Sequence, residues 1–323
     1  MTSDRGLEAN HLTKVYGGQA VVSDLSFTVR PGEVMGFLGP NGAGKSTTMR
    51  LLTGITSPDG GEALLGGVPV RHVANPGLVV GAVLDAGHLH PGRTVLETMR
   101  LVTLTLGLPA AAGVDGLHLL GLGSALKLRV RALSLGMRQR LSLAMALVSD
   151  PRFLILDEPM NGLDTEGIAW VKATMRQFAQ RGAGILVSTH LIGEIEALAD
   201  RVVVIDRGRM VTEAKPEELG RLGTWASSRR DADLAQALRQ AGLTVAAEAQ
   251  GLLVAATPEA VGQIALAAGV PLIELREHRQ GLAQFVLENT SGRYAAHQGG
   301  PASPWPSDTE PAAAEAVQEK VVR

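Results

Sequence analysis

The chain of 323 residues contains no cysteine. That excludes disulfide bonds and thiolate metal centres, and it is compatible with cytoplasm. A charge imbalance is also missing. The 30 basic and 32 acidic side chains leave a net charge of −2, so no global basic field argues for a nucleic-acid partner. No apolar run reaches the roughly 20 residues needed to span a bilayer. The greasiest stretch, Leu101 to Val114, is broken by Thr103, Thr105, Gly107 and Pro109. The first residues, Met1-Thr2-Ser3-Asp4-Arg5-Gly6, lack the basic-then-apolar order of a secretion signal. The expectation is a chain soluble by itself, with any membrane crossing left to another polypeptide. There are no sustained heptads either, which argues against long coiled coils. What is present is a globular balance, 45% hydrophobic and 19% charged, in a length that suits one large domain or two ordinary ones.

Against that background one stretch stands out: Gly39-Pro40-Asn41-Gly42-Ala43-Gly44-Lys45-Ser46-Thr47. It fits the phosphate-loop pattern G-x-x-x-x-G-K-[ST] at Gly39, Gly44, Lys45 and Ser46. The apolar run Val34 to Leu38 leads into it, and a helix-like stretch, Ser46 to Thr53, follows and meets Gly54. Glycines let backbone N–H groups converge on phosphate oxygens, and the helix N-terminus adds its positive end. Lys45 supplies a point charge for the β and γ phosphates, and the Ser46 hydroxyl suits Mg²⁺. A nucleotide is expected against residues 39 to 47, with Mg²⁺, and the loop alone leaves many NTPases open.

The rest of the chain reads as an α/β protein. Short strands are expected from Leu7 to Val29, broken at Gly17-Gly18 and ended by Pro31-Gly32. Further strands are expected at Leu64 to Val70, interrupted at Gly66-Gly67, and at Gly81 to Asp85, Phe153 to Leu156, Gly184 to Ser188 and Arg201 to Ile205. Residues Thr94 to about Ala146 read as helical, with glycine and proline breaks near Leu106 to Gly116, and helices are also expected at Thr165 to Arg181 and Leu191 to Leu198. Buried strands alternating with helices indicate a parallel sheet covered on both faces. A boundary is expected near Gly220 to Gly223. Beyond it the order is strand at Thr224 to Ser228, helix at Asp231 to Ala241, strands at Leu243–Ala246 and Leu252–Ala255, helix at Pro258 to Ala268 and strand at Leu272 to Arg276. This βαββαβ order suggests a small α+β, ferredoxin-like module. Residues 291 to 323, with Pro301, Pro304, Pro306 and Pro311, read as a disordered tail.

Two acids, Asp157 and Glu158, end the apolar strand Phe153 to Leu156. Charge at a core edge is costly without a partner. The aspartate suits Mg²⁺, through water, and the glutamate suits orienting and polarising an attacking water.

Between these motifs lies Leu133-Ser134-Leu135-Gly136-Met137-Arg138-Gln139-Arg140-Leu141. Alone it reads as a serine-capped helix with an arginine-rich face. With the phosphate loop before it and the acid pair after it, the chain resembles the ATP-binding subunits of ABC (ATP-binding cassette) transporters. The resemblance implies a P-loop core with an antiparallel β subdomain and a helical subdomain over residues 7 to 220, followed by the α+β module at 224 to 288. It also implies that Ser134 and Gly136 meet the γ-phosphate held by an opposite subunit of a homodimer. Leu135 and Met137 depart from the family's LSGGQ consensus; Met137 stands where the family has a glutamine contact to nucleotide. Asn161-Gly162-Leu163-Asp164 takes the place of the loop that crosses the dimer interface. His190 matches the switch histidine at the γ-phosphate, so Glu158, His190 and Lys45 are the expected catalytic residues. Tyr16 matches the aromatic that stacks on adenine. Asp85 stands where the family carries a glutamine that contacts Mg²⁺ and senses the membrane partner, which makes Ser46, Asp157 and Asp85 the expected metal residues.

The module and the segment Gln280 to Glu288 resemble the extension of drug- and antibiotic-exporting ABC-2 type ATPases, and the signature resembles bacitracin- and lantibiotic-resistance subunits. The implied function is ATP hydrolysis that drives export by a separate integral-membrane permease. The implied location is the cytoplasm, on the inner face of the cell membrane. The coupling surface is expected between Asp85 and about Arg131, again by resemblance. A non-transport ABC-type ATPase with a regulatory or resistance role is the alternative. Forms acting on ribosomes or DNA are disfavoured by the single phosphate loop, the absence of heptads and the absence of a basic field.

Overall fold

The computed structural model describes residues 6–84, 89–219, 221–248, 250–279 and 281–290. Its elements run in the order β1 (Leu7–Tyr16), β2 (Gln19–Val29), β3 (Val34–Leu38), α1 (Lys45–Leu52), β4 (Gly60–Leu65), β5 (Val68–Pro69), β6 (Val80–Val83), α2 (Val95–Leu106), α3 (Ala110–Leu119), α4 (Leu135–Leu147), β7 (Phe153–Asp157), α5 (Thr165–Gln180), β8 (Gly184–Ser188), α6 (Ile192–Glu196), β9 (Arg201–Asp206), β10 (Arg209–Ala214), α7 (Pro216–Leu219), β11 (Arg221–Ser228), α8 (Asp231–Gln240), β12 (Val245–Glu248), β13 (Gly251–Val254), α9 (Pro258–Ala267), β14 (Leu272–Arg279) and α10 (Leu282–Asn289).

These form three sheets. The central one has the order β10-β9-β3-β8-β7-β6, parallel except for β10, which pairs antiparallel with β9. Strands β3 and β8 are buried along their whole length, which is why they read as continuous apolar runs and not as alternating ones. A second, antiparallel sheet, β2-β1-β4-β5, packs with α1 over one face of the first. Phe27 and Phe37 meet across the two sheets with ring centroids 5.3 Å apart. On the other side Gly36 in β3 lets α6 approach: a Cβ there would stand 2.6 Å from Ile195 Cγ2.

Most expected elements are present, with shifts at their ends. The interruption expected at Gly66-Gly67 within Leu64 to Val70 is a hairpin turn between β4 and β5, where both glycines take positive φ of 63° and 83°. The strand expected to reach Asp85 ends at Val83. The helix break expected between Leu106 and Gly116 is confined to Gly107, Leu108 and Pro109, and α3 runs through both Gly113 and Gly116. Gly113 is a contact point: a Cβ would lie 2.7 Å from Met99 Cγ and 2.9 Å from Thr103 Cγ2, both in α2. Strand β10 and the short α7 have no counterpart in the expected pattern.

The third sheet has the order β12-β13-β11-β14 and is antiparallel throughout its recorded pairs. Helices α8 and α9 cover one face around Ala226, Leu234, Leu238, Leu252, Val254 and Val261. The βαββαβ order expected for this part is present. After it, α10 buries Leu282 and Val286 and packs on α6 and α7. The tail expected to be disordered, 291 to 323, lies outside the described residues, as does Asp85.

Candidate functional site

The phosphate loop leaves the C-terminal end of β3 between β8 and β9. Ligand sites of open α/β sheets form at such strand ends. Gly39 and Gly44 adopt positive φ of 156° and 102°. A Cβ on Gly39 would stand 2.4 Å from the Ile205 carbonyl oxygen, and one on Gly44 would stand 2.5 Å from that of Val21. Side chains are therefore barred from both by close backbone as well as by conformation. Gly42 also has positive φ, 82°, but open space around it, and Ala43 N–H donates to Pro40 O to tighten the loop.

Lys45 is the first residue of α1 and only 8% exposed. Its ammonium donates to Gly39 O at 2.6 Å and Pro40 O at 3.2 Å, both neutral. Burial pulls its pKa below the usual lysine value, and the carboxylates of Glu158 and Asp157 pull it partly back. A buried cation whose bonds go to neutral carbonyls is a site that an anion would complete. The cleft beside it, about 610 Å³, is also lined by Asn41, Ser46, Thr47, Asp157 and Glu158.

The acid pair sits at the end of β7, next to the end of β8. Glu158 has φ of +49°, a left-handed conformation uncommon for a residue with a side chain. Local bonds hold it there. Its N–H donates to Ser188 Oγ at 3.0 Å, while the Ser188 hydroxyl donates to Asp157 Oδ1. Its carboxylate Oε2 accepts from His190 N at 3.2 Å and lies 2.7 Å from His190 Nδ1. Asp157, Glu158, Ser188 and His190 thus form one connected unit at the strand ends. Ser188 is the member that the sequence reading missed. Its signal was a lone hydroxyl closing an otherwise apolar strand.

The other expected residues lie apart. Tyr16 is 50% exposed at the end of β1, outside the lining of the cleft, with Lys14 Nζ 5.4 Å from its ring centre. Ser134 and Gly136 line a second depression of about 460 Å³ with Asp164, Gly167 and Trp170. Ser134 caps α4 by accepting from Met137 N at 3.2 Å, and Asp164 caps α5 by accepting from Gly167 N at 2.8 Å. Leu135 borders both depressions and lies against Gly162, where a Cβ would be 2.6 Å from Leu135 Cδ2. Gln139, part of the signature stretch but given no role from the sequence, ties α4 to the acid pair by donating to Pro159 O at 2.6 Å.

Among the described residues no helix is long and apolar enough to cross a membrane. The family model for ABC transporter matches residues 22–161. The Nod factor export ATP-binding protein I of Ralstonia nicotianae is 42% identical over 218 residues, which cover 66% of this chain and 68% of that protein. The protein of the same name from Rhizobium etli is 40% identical over 220 residues, covering 66% and 69%. Among solved structures, one described as an ATP binding subunit of an ABC transporter superposes with a TM-score of 0.61 at 29% identity, covering 66% of this chain and 91% of its own. A dimeric bacterial ABC transporter cassette, 21% identical, shares the fold with a TM-score of 0.60, covering 65% of this chain and 98% of its own. A glycine cradle around a buried lysine, an acid pair at the next strand end but one, and relatives that match them over two thirds of their length have one meaning: this chain belongs to the ABC transporter ATP-binding proteins and is an ATPase of that family.

Proposed function

We propose that the chain is the ATP-hydrolysing subunit of an exporter, working as a homodimer on the cytoplasmic face of a separate membrane permease. Export is supported by the names of the relatives, several of which are Nod factor export proteins. Those names do not point to drugs or antibiotics. In this reading ATP lies along residues 39 to 47 with its γ-phosphate toward Glu158 and His190. Lys45 and the loop N–H groups neutralise the phosphates. Glu158 accepts a proton from the attacking water, and His190 orients the Glu158 carboxylate. Ser134 and Gly136 of each protomer close over the nucleotide of the other, and Tyr16 supports the adenine. The four-stranded order of residues 221 to 279 supports a ferredoxin-like module after the cassette.

Mg²⁺ fits the donor set. Ser46 offers a hydroxyl and Asp157 a carboxylate at the cleft. When bound, the ion would neutralise charge on the transferring phosphoryl group.

The observation that carries the proposal is the union of Glu158, His190, Ser188 and Asp157 beside the buried Lys45. Glu158→Gln keeps the shape and removes the base. With ATP and Mg²⁺ it is expected to elute from size exclusion as a dimer with turnover reduced at least about a hundredfold, within the range for general-base loss. A variant that turns over at the wild-type rate, or stays monomeric with nucleotide bound, contradicts the reading.

A further inference from the structure

We propose that Arg138 binds the γ-phosphate of the nucleotide held by its own chain, as a cation supplied to the cleft from α4. This rests on the cleft being the ATP site. Arg138 lines that cleft together with Lys45, Asp157, Glu158 and Asn161. Its Nε is buried without a hydrogen-bond partner. A buried, unsatisfied guanidinium nitrogen is costly, and an incoming anion is the natural way to satisfy it.

The placement selects the γ end of the nucleotide. Gln139, the next residue in α4, is bonded to Pro159 O, directly after Glu158. Arg138 is thereby held at the acid-pair end of the cleft, where water attack would occur, rather than near the start of β2. The local acids are already engaged: Glu158 Oε2 with His190 and Asp157 Oδ1 with Ser188. Among the described residues the ion pair of Glu158 is with His190, and none joins Arg138 to either acid. The Arg138 guanidinium offers five donors in a planar fork.

The test is equilibrium binding of two probes with Mg²⁺: ADP, and an ATP analogue whose β–γ bridge resists hydrolysis. The full chain is compared with R138Q, R138M and R138K at protein concentrations below and above self-association. R138Q is expected to lose about tenfold in affinity for the analogue and less than about twofold for ADP, as for one charge-assisted bond to the third phosphate. R138K should recover part of the loss. R138M keeps the apolar stem and should repeat the R138Q result even if the amide disturbs packing. Equal losses for both probes would overturn the proposal. So would a loss seen only at self-associating concentrations, which would put the arginine on the partner's nucleotide. If the unaltered chain binds neither probe, the site assignment itself fails, and that outcome is distinct from either of these.

Discussion

At the scale of single residues, the site trades stability for binding capacity. Lys45 is a buried cation held by two carbonyls. Because burial lowers its folded pKa, the unfolded chain binds its proton more tightly than the folded one. The resulting penalty is full below the folded pKa and declines as pH rises through it toward the usual lysine value. Lys45→Met removes the penalty. We expect the variant to have a higher Tm than the parent without nucleotide at neutral pH, by a margin worth about 1 kcal/mol. The margin should shrink as pH rises toward 10.5, and the variant should show no further stabilisation on adding ATP. Thermal melts across pH with and without nucleotide check all three, and a Tm below the parent's would show that the carbonyl bonds outweigh the burial. The motif around Lys45 was readable in sequence because its chemistry is local: nine consecutive residues supply loop, charge and hydroxyl. Ser188 was not, since its role arises only when β8 lies beside β7 and its one hydroxyl serves both Asp157 and the Glu158 N–H.

At the scale of elements, glycine carries two opposite meanings, and only packing separates them. Gly107 ends α2 with φ of +70°, as a helix stop should. Gly113, six residues on, sits inside α3 and allows close approach to Met99 and Thr103 of α2. Both look like breakers in the sequence. Gly113→Leu is expected to force the two helices apart at a cost of about 1–3 kcal/mol, a typical overpacking penalty. Chemical denaturation measures this directly. A variant as stable as the parent would mean that α2 and α3 can separate freely there. The same argument explains Leu135. It breaks the signature consensus, yet it is accommodated because the turn at Gly162 leaves room for its side chain.

At the scale of the whole molecule, the chain returns to the site after leaving it. Beyond the third sheet, α10 packs on α6, the helix that follows His190, and Leu282 N–H donates to Glu196 Oε1 at 3.4 Å. Lys172 in α5 holds the same helix through Glu194 at 2.6 Å. The segment bearing His190 is therefore clamped by elements far apart in sequence. Val286→Asp would bury a carboxylate in the α10 contact, with an expected loss of about 3 kcal/mol or more. Limited proteolysis should release the C-terminal part at a lower protease concentration than in the parent, and ATP turnover should fall with it. Unchanged proteolysis would show that α10 does not hold this position in solution.

The sequence by itself determined the phosphate loop, the acid pair, the alternation of strands and helices, and the family, because each depends on short-range spacing or on ordered motifs. Tertiary structure decided the rest. It set the left-handed Glu158, the bridging Ser188, the contact role of Gly113 and the docking of α10 on α6. Each of these depends on which strands and helices become neighbours. A parallel sheet makes neighbours of segments far apart in the chain, so no local pattern announces them.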